Sequence, residues 1–323
     1  MLAVAEHLDT VNLPHDRGVI EGILDRSARS FSGELSGADL EFVFVLEDLA
    51  KKRIIGTSMI YAQHGTKRAP HIFFRVENDE RYSVTIDRYM VHRTLRIGYN
   101  YNGPTEIGGL ILLPEYRRTP HALGKTLSYV RFLFMRMHRP LFRNQVLSEL
   151  LPPLEPDGTS RLWEALGRRF TGLTYQEADR LSKDNKEFIN ALFPDDPIHT
   201  ELLPEDVQAI IGQVGEDTRA VEKMLRRIGF DYAEQIDPFD GGPHFIANTD
   251  DISVVRDARE LEVKAGEGSG ERKWAVLAAE SSAAQFRAIG LRVALDGDGV
   301  ALGDDARQRL GVEVGQKVWL SFG

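Results

Sequence analysis

The stretch RRTPHALGK, residues 117–125, sets two arginines, a glycine and a lysine around a proline-broken turn. Arg117, Arg118 and Lys125 bring positive charge, and Gly124 lets the backbone come close to a ligand. The apolar run TEIGGLILL (105–113) leads in, and a helical pattern over roughly 124–138 leads out. A helix N-terminus adds amides and a partial positive charge, so the junction has the parts of a phosphate-binding turn. The plain alternative is a strand-to-helix connection with solvated arginines. The Walker spacing is missing, since no glycine stands five residues before Gly124, and no dinucleotide fingerprint is present.

The elements around this turn follow from pattern. Residues 18–31 place Val19, Ile23 and Leu24 on one helical face. LEFVFVLED (40–48) and RIIGTSMIYA (53–62) have strand length and a short polar loop between them, which predicts an antiparallel hairpin. Further strands are expected at 71–76, 82–87, 105–113 and 145–151, and helices at 161–170, 175–193, 204–213 and 217–230. The helix-to-strand passages WEALGRRFTGLTY and EKMLRRIGFDYAEQI look alike, as two copies of one α/β unit would. Residues 263–271, which include KAGEGSGE, form a flexible linker by composition, and 272–323 are short strands with Asp-Gly turns, a small β-rich and barrel-like appendage.

Bulk composition narrows the classes. The 323 residues suffice for two domains, and a net charge of −9 argues against a nucleic-acid or acidic-membrane partner. With no cysteine there is no disulfide, thiolate metal site or cysteine nucleophile. No apolar run is long enough to span a bilayer, and the N-terminus lacks the basic region of a secretory signal, so a cytoplasmic location is expected. The nine histidines show no HxH, HxxxH or HExxH spacing, so no metal site is expected.

The segments FVFVLED, TEIGGLILLPEYR, LSYVRFLFM, LWEALGRRFTGLTYQEADRLS, NKEFINALFP, LLPEDVQAIIGQV and IDPFDGGP, in this order, resemble the arginine N-succinyltransferase family over most of residues 8–262. That family is similar to the GNAT acyltransferases. The resemblance implies an α/β fold with a mixed sheet, GNAT-like and duplicated, with residues 1–262 as the acyltransferase region in two tandem lobes, about 1–175 and 176–262. It implies transfer of succinyl from succinyl-CoA, a co-substrate and not a permanently bound cofactor, to the α-amino group of L-arginine, in arginine catabolism. It places the CoA diphosphate at Arg117, Arg118, Gly124 and Lys125, and the acyl group at Leu110, whose backbone N–H would polarise the thioester carbonyl.

Departures from the family accompany the match. The family's proton-donating histidine corresponds to Gly215, a basic residue to Leu151, and the first glycine of the turn to Ala122, in a turn longer than usual. The family's first strand and the start of its first helix have no counterpart here, and the sheet edge this leaves favours a homo-oligomer. Direct amine attack on a thioester needs a neutral amine, hydrogen bonds to the oxyanion and a proton for the leaving thiolate. Glu106 is the candidate base; a surface or turn-capping carboxylate is its alternative. His244, after the Gly-Gly pair of FDGGPHF, is the candidate replacement acid, against an exposed turn histidine. Asp240 either pairs with a substrate guanidinium or caps its own turn. His199 is a weaker candidate.

Overall fold

The computed structural model describes residues 16–67, 69–182, 185–280 and 286–323. In chain order the elements are α1 (Arg17–Phe31), β1 (Glu41–Asp48), β2 (Arg53–Tyr61), β3 (His71–Ser83), β4 (Arg88–Asn100), β5 (Thr105–Leu112), α2 (Leu123–Met137) and β6 (Gln145–Glu149). A π-helical turn, Trp163–Gly167, runs into α3 (Arg168–Thr171), followed by α4 (Tyr175–Ser182), α5 (Glu187–Leu192), β7 (Ile198–His199), α6 (Glu205–Ile210) and α7 (Arg219–Arg227). The chain continues through β8 (Asp231–Ile236), β9 (Pro243–Asn248), α8 (Ser253–Arg256) and β10 (Arg259–Ala265). It ends with β11 (Lys273–Glu280), β12 (Phe286–Val293), β13 (Leu295–Asp296), β14 (Gly299–Leu302), α9 (Asp304–Leu310) and β15 (Lys317–Phe322). The protein is a mixed α/β structure. Among the described residues no helix is long and apolar enough to cross a membrane.

Two compact units interleave along the chain. The first gathers residues 1–63, 105–146 and 247–323. Asp16 caps α1 by accepting the Val19 N–H, and Ile20, Ile23, Ser27 and Ser30 form its buried stripe, whereas Val19 and Leu24, expected on that face, are exposed. Ser27 and Ser30 accept the N–H groups of Val43 and Glu41, which ties the helix to β1. The β1–β2 hairpin is antiparallel, as the short polar loop between two strand-length runs predicts, and β2 pairs antiparallel with β5. Helix α2 is buried from Thr126 to Met135, an apolar cylinder enclosed on nearly every side.

The C-terminal strands belong to this same unit. They form an open six-stranded sheet, β12-β11-β15-β10-β14-β13, with a core of its own that includes Val263, Leu277, Val300 and Leu320. It is not a closed barrel, which corrects the expectation from its strand spacing. Residues 263–265, expected to open the linker, instead finish β10, which lies between β15 and β14. The hydrophobic alternation of Leu261 and Val263 is what commits them to the sheet.

The second unit gathers residues 64–104 and 147–246. Its sheet runs β6-β9-β8-β3-β4-β7. The β3–β4 hairpin pairs without interruption from His71↔Asn100 to Ser83↔Arg88. Residues 84–87, expected as strand, are the turn of this hairpin; exposed Val84 and Ile86 imitate strand alternation without burying anything. The core packs Phe74, Leu95, Ile236 and Phe239 around Trp163. The Trp163 ring lies where a Cβ on Gly167 would stand 2.3 Å from it, so only glycine fits one turn along. The helix expected over 175–193 is two helices, with Asn185 Oδ1 accepting the Glu187 N–H at the start of the second.

Candidate active site

In the first unit, β5 carries a bulge. Thr57 faces Ile111 and Met59 faces Gly108, so two residues of β5, Gly109 and Leu110, stand against Ser58 alone. Gly109 has φ +55°, and a Cβ there would meet Met59 Sδ at 2.7 Å, so the bulge needs glycine for two reasons. The bulge is fastened from both sides. Thr57 Oγ1 donates to the Gly109 carbonyl (3.1 Å), and the fully buried Arg131 donates to the Gly108 carbonyl (3.3 Å). Arg131 also donates to the Ser128 carbonyl and hydroxyl, and burial lowers its pKa to about 9. Glu106, half-buried on the same strand, lies opposite Tyr61 in the register.

The turn after β5 is ordered by its neighbours. Tyr116 donates to Asp48 (2.7 Å) and accepts from Lys51 (3.0 Å), while Arg117 Nε donates to the Leu112 carbonyl (2.9 Å). Arg118 and Ala122 both adopt positive φ, +57° and +51°, and Ala122 is the residue before α2. Ala122 thus takes a left-handed conformation at the position where the resemblance places a glycine. The amides of Leu123, Gly124 and Lys125 precede the first helical hydrogen bond, Thr126 N–H to Ala122 O. A Cβ on Gly124 would find its nearest neighbour at 3.8 Å, so packing does not demand a glycine there. Lys125 Nζ sits 4.1 Å from the centroid of the Trp274 ring, a cation–π contact with β11 that fixes the cation at the helix start. Arg118 is exposed.

In the second unit, three imidazoles converge on one carboxylate. Glu149 Oε1, at the end of β6, lies 3.3 Å from His71 Nε2, 3.5 Å from His244 Nε2 and 3.9 Å from His64 Nε2. His244 is fully buried, not an exposed turn residue, and neither of its ring nitrogens makes a hydrogen bond within the described residues. Burial pushes its pKa down to about 3, although Glu149 opposes the shift, so it is neutral at neutral pH. The replacement-acid reading required an imidazolium, which this environment disfavours. Burial pushes the Glu149 carboxyl upward, but the neighbouring His244, His71 and His64 outweigh it and hold the carboxyl well below its ordinary range.

Asp240 caps its own turn. Its Oδ1 accepts the Gly242 N–H at 2.7 Å, and burial, then repulsion from Asp237, holds its carboxyl well above the ordinary range. Asp237 accepts from Phe239 and Asp240 N–H, and burial together with Glu149 raises it to about 7. His199 is exposed, beside Glu201. Sequence reasoning missed Glu149, His64, His71 and Arg131; no local spacing marks the first three, and Arg131 lies in an apolar helical run.

Gly215 is closed off. Its N–H donates to Leu151 O (2.8 Å), and a Cβ there would stand 2.7 Å from Pro152 O and 3.1 Å from Leu151 O. Gly215→His, which installs the residue the resemblance places there, is therefore expected to cost about 1–3 kcal/mol by overpacking against backbone. Urea unfolding checks this, and a variant as stable as the parent would show that the backbone gives way.

Residues 1–254 match the family described as "Arginine N-succinyltransferase beta subunit", and residues 259–321 match its C-terminal domain. An arginine N-succinyltransferase of Yersinia pestis (strain Pestoides F) is 32% identical over 314 residues, 95% of this chain and 89% of that protein. One from Citrobacter koseri is 32% identical over 282 residues, 87% of this chain and 81% of that protein. A solved structure, arginine/ornithine succinyltransferase subunit AI from Pseudomonas aeruginosa, superposes with a TM-score of 0.84 at 29% identity. It covers 99% of this chain and 94% of its own.

Proposed function

Because this chain belongs to the arginine N-succinyltransferase family, a family of acyltransferases, we propose that it transfers succinyl from succinyl-CoA to the α-amino group of L-arginine. The observation that carries the reading is the β5–turn–α2 unit, where a glycine-dependent bulge and a helix N-terminus with cations follow one another on one continuous stretch. The amides at the start of α2, with Arg118 and Lys125, are assigned the CoA diphosphate. Arg117, tied to the Leu112 carbonyl, shapes the turn and adds charge. Bulges re-aim backbone groups, and the Leu110 N–H is assigned the thioester carbonyl.

The chemistry then follows. The neutral α-amine attacks the thioester carbon, and its proton passes to Glu106 directly or through one water. The Leu110 N–H donates to the oxyanion, the C–S bond breaks, and the thiolate leaves to take a proton from solvent. A thiolate is a fair leaving group, so the step runs without a histidine at position 215. Of the two passages expected to run from helix to strand, only EKMLRRIGFDYAEQI does so, from α7 into β8, while WEALGRRFTGLTY runs from α3 into α4, so their likeness lends a duplicated origin no support.

A second reading keeps the fold and changes the amine. The closed Gly215 favours it, and the printed name of the Pseudomonas structure includes ornithine beside arginine. Thiol release from succinyl-CoA with arginine, ornithine and lysine as acceptors tests both. Arginine as the best acceptor is the expected result; ornithine ahead of it selects the second reading, and no release with any amine removes both.

A further inference from the structure

We propose that His64, His71, His244 and Glu149 form a binding site for a divalent transition-metal ion, with zinc as the reference ion. The distances fit first. Ligand bonds of about 2.0–2.2 Å in a tetrahedral site place the ligand atoms about 3.3–3.6 Å apart. The three imidazole Nε2 atoms stand 3.3, 3.5 and 3.9 Å from Glu149 Oε1, so the carboxylate is near ligand-pair distance from each, and His244 must close toward His64 and His71 for one ion to take all four. Two overlapping groups, His64–His71–Glu149 and Glu149–Asp237–His244, each keep their candidate ligand atoms within 4.8 Å of one another.

Burial supplies the second, independent argument. His244 is 0% exposed, and neither of its ring nitrogens has a hydrogen bond within the described residues. A buried imidazole left so is costly, and its Nε2, 3.5 Å from the Glu149 carboxylate and beside the stacked ring of His71, is a donor atom that an ion would engage. A nitrogen-and-carboxylate set without thiolate suits zinc, cobalt, nickel or iron over magnesium or calcium.

The fold builds the group on purpose-shaped backbone. Gly65, at φ +88°, lets the loop after His64 fold back, since a Cβ there would meet Asn100 O at 2.4 Å and His71 N at 2.8 Å. His64 and His71 are thereby brought to a ring separation of 4.6 Å. All four residues lie in the same compact unit, and none is among the groups assigned to acyl transfer, so the inference stands apart from that reading.

The test uses the full chain, stripped with EDTA and dialysed, then titrated with Zn²⁺ in competition with a chromophoric chelator. One tight equivalent is expected, weakened at least about tenfold in His244→Ala and Glu149→Gln, the scale on which even outer-shell partners matter. His64→Gln alters a partly exposed side chain at the rim and decides the matter should the buried variants unfold. Cobalt(II) loading should give the visible bands of a tetrahedral site in the parent and lose them in His64→Gln. His92→Ala, in the exposed His92–His199–Glu201 group, should change nothing. No tight equivalent in the parent, or equal affinity and spectra in parent and folded His64→Gln, overturns the proposal.

Discussion

Glu106→Gln should lower kcat for succinyl transfer by about 10²–10⁴-fold, the usual worth of a positioned general base. The substitution keeps size and hydrogen-bonding shape while removing the proton acceptor. Glu106 is half-buried on β5, four residues before Leu110 and outside the turn assigned to the diphosphate, so KM for succinyl-CoA should hold. Tyr61, its cross-strand partner, cannot take over. Burial, and then the charges of Glu41 and Glu106, raise its phenol far above the ordinary range and keep it protonated. Thiol release at saturating succinyl-CoA measures the loss. A fall of under about threefold would place the base elsewhere.

Trp163→Ala is expected to cost about 3–5 kcal/mol of stability. The ring is fully buried, stacked on Phe239 at 5.0 Å and 7°, and its Nε1 donates to Leu173 O at 3.0 Å. Truncation opens a cavity, strands a carbonyl, and removes the surface on which Phe239 holds the 237–242 turn. Glycine at 167 adds nothing to refill the space. Urea unfolding should show a lower midpoint with an unchanged slope. A loss of under about 1 kcal/mol would mean that the π-helical turn collapses onto the vacancy.

How far the sequence disclosed this architecture depends on where each element buries its apolar groups. The helix at 17–31 and the β1–β2 hairpin were legible from a helical period and from two strand-length apolar runs joined by a short loop, although Ile20 and Ile23, not Val19 and Leu24, carry the buried helical face. The outer half of the β3–β4 hairpin was not, since its residues are exposed on both faces and leave no alternation to read. The strand–turn–helix junction was legible as a unit, but not the local tie of Arg117 to the carbonyl five residues back, nor that of Lys125 to Trp274, which comes from chain closure over a long separation. For the same reason the imidazole cluster escaped notice. His64, His71, Glu149 and His244 share no helical or strand spacing and meet only because β3, β6 and β9 belong to one sheet.

The central claim is that the β5–α2 junction holds the diphosphate of coenzyme A and brings its thioester to Leu110. A crystal structure of the protein with coenzyme A bound tests it most directly. The account predicts the diphosphate against the amides of Gly124 and Lys125, with the thiol end beside the bulge at Gly109 and Leu110. A diphosphate seated anywhere else would contradict it.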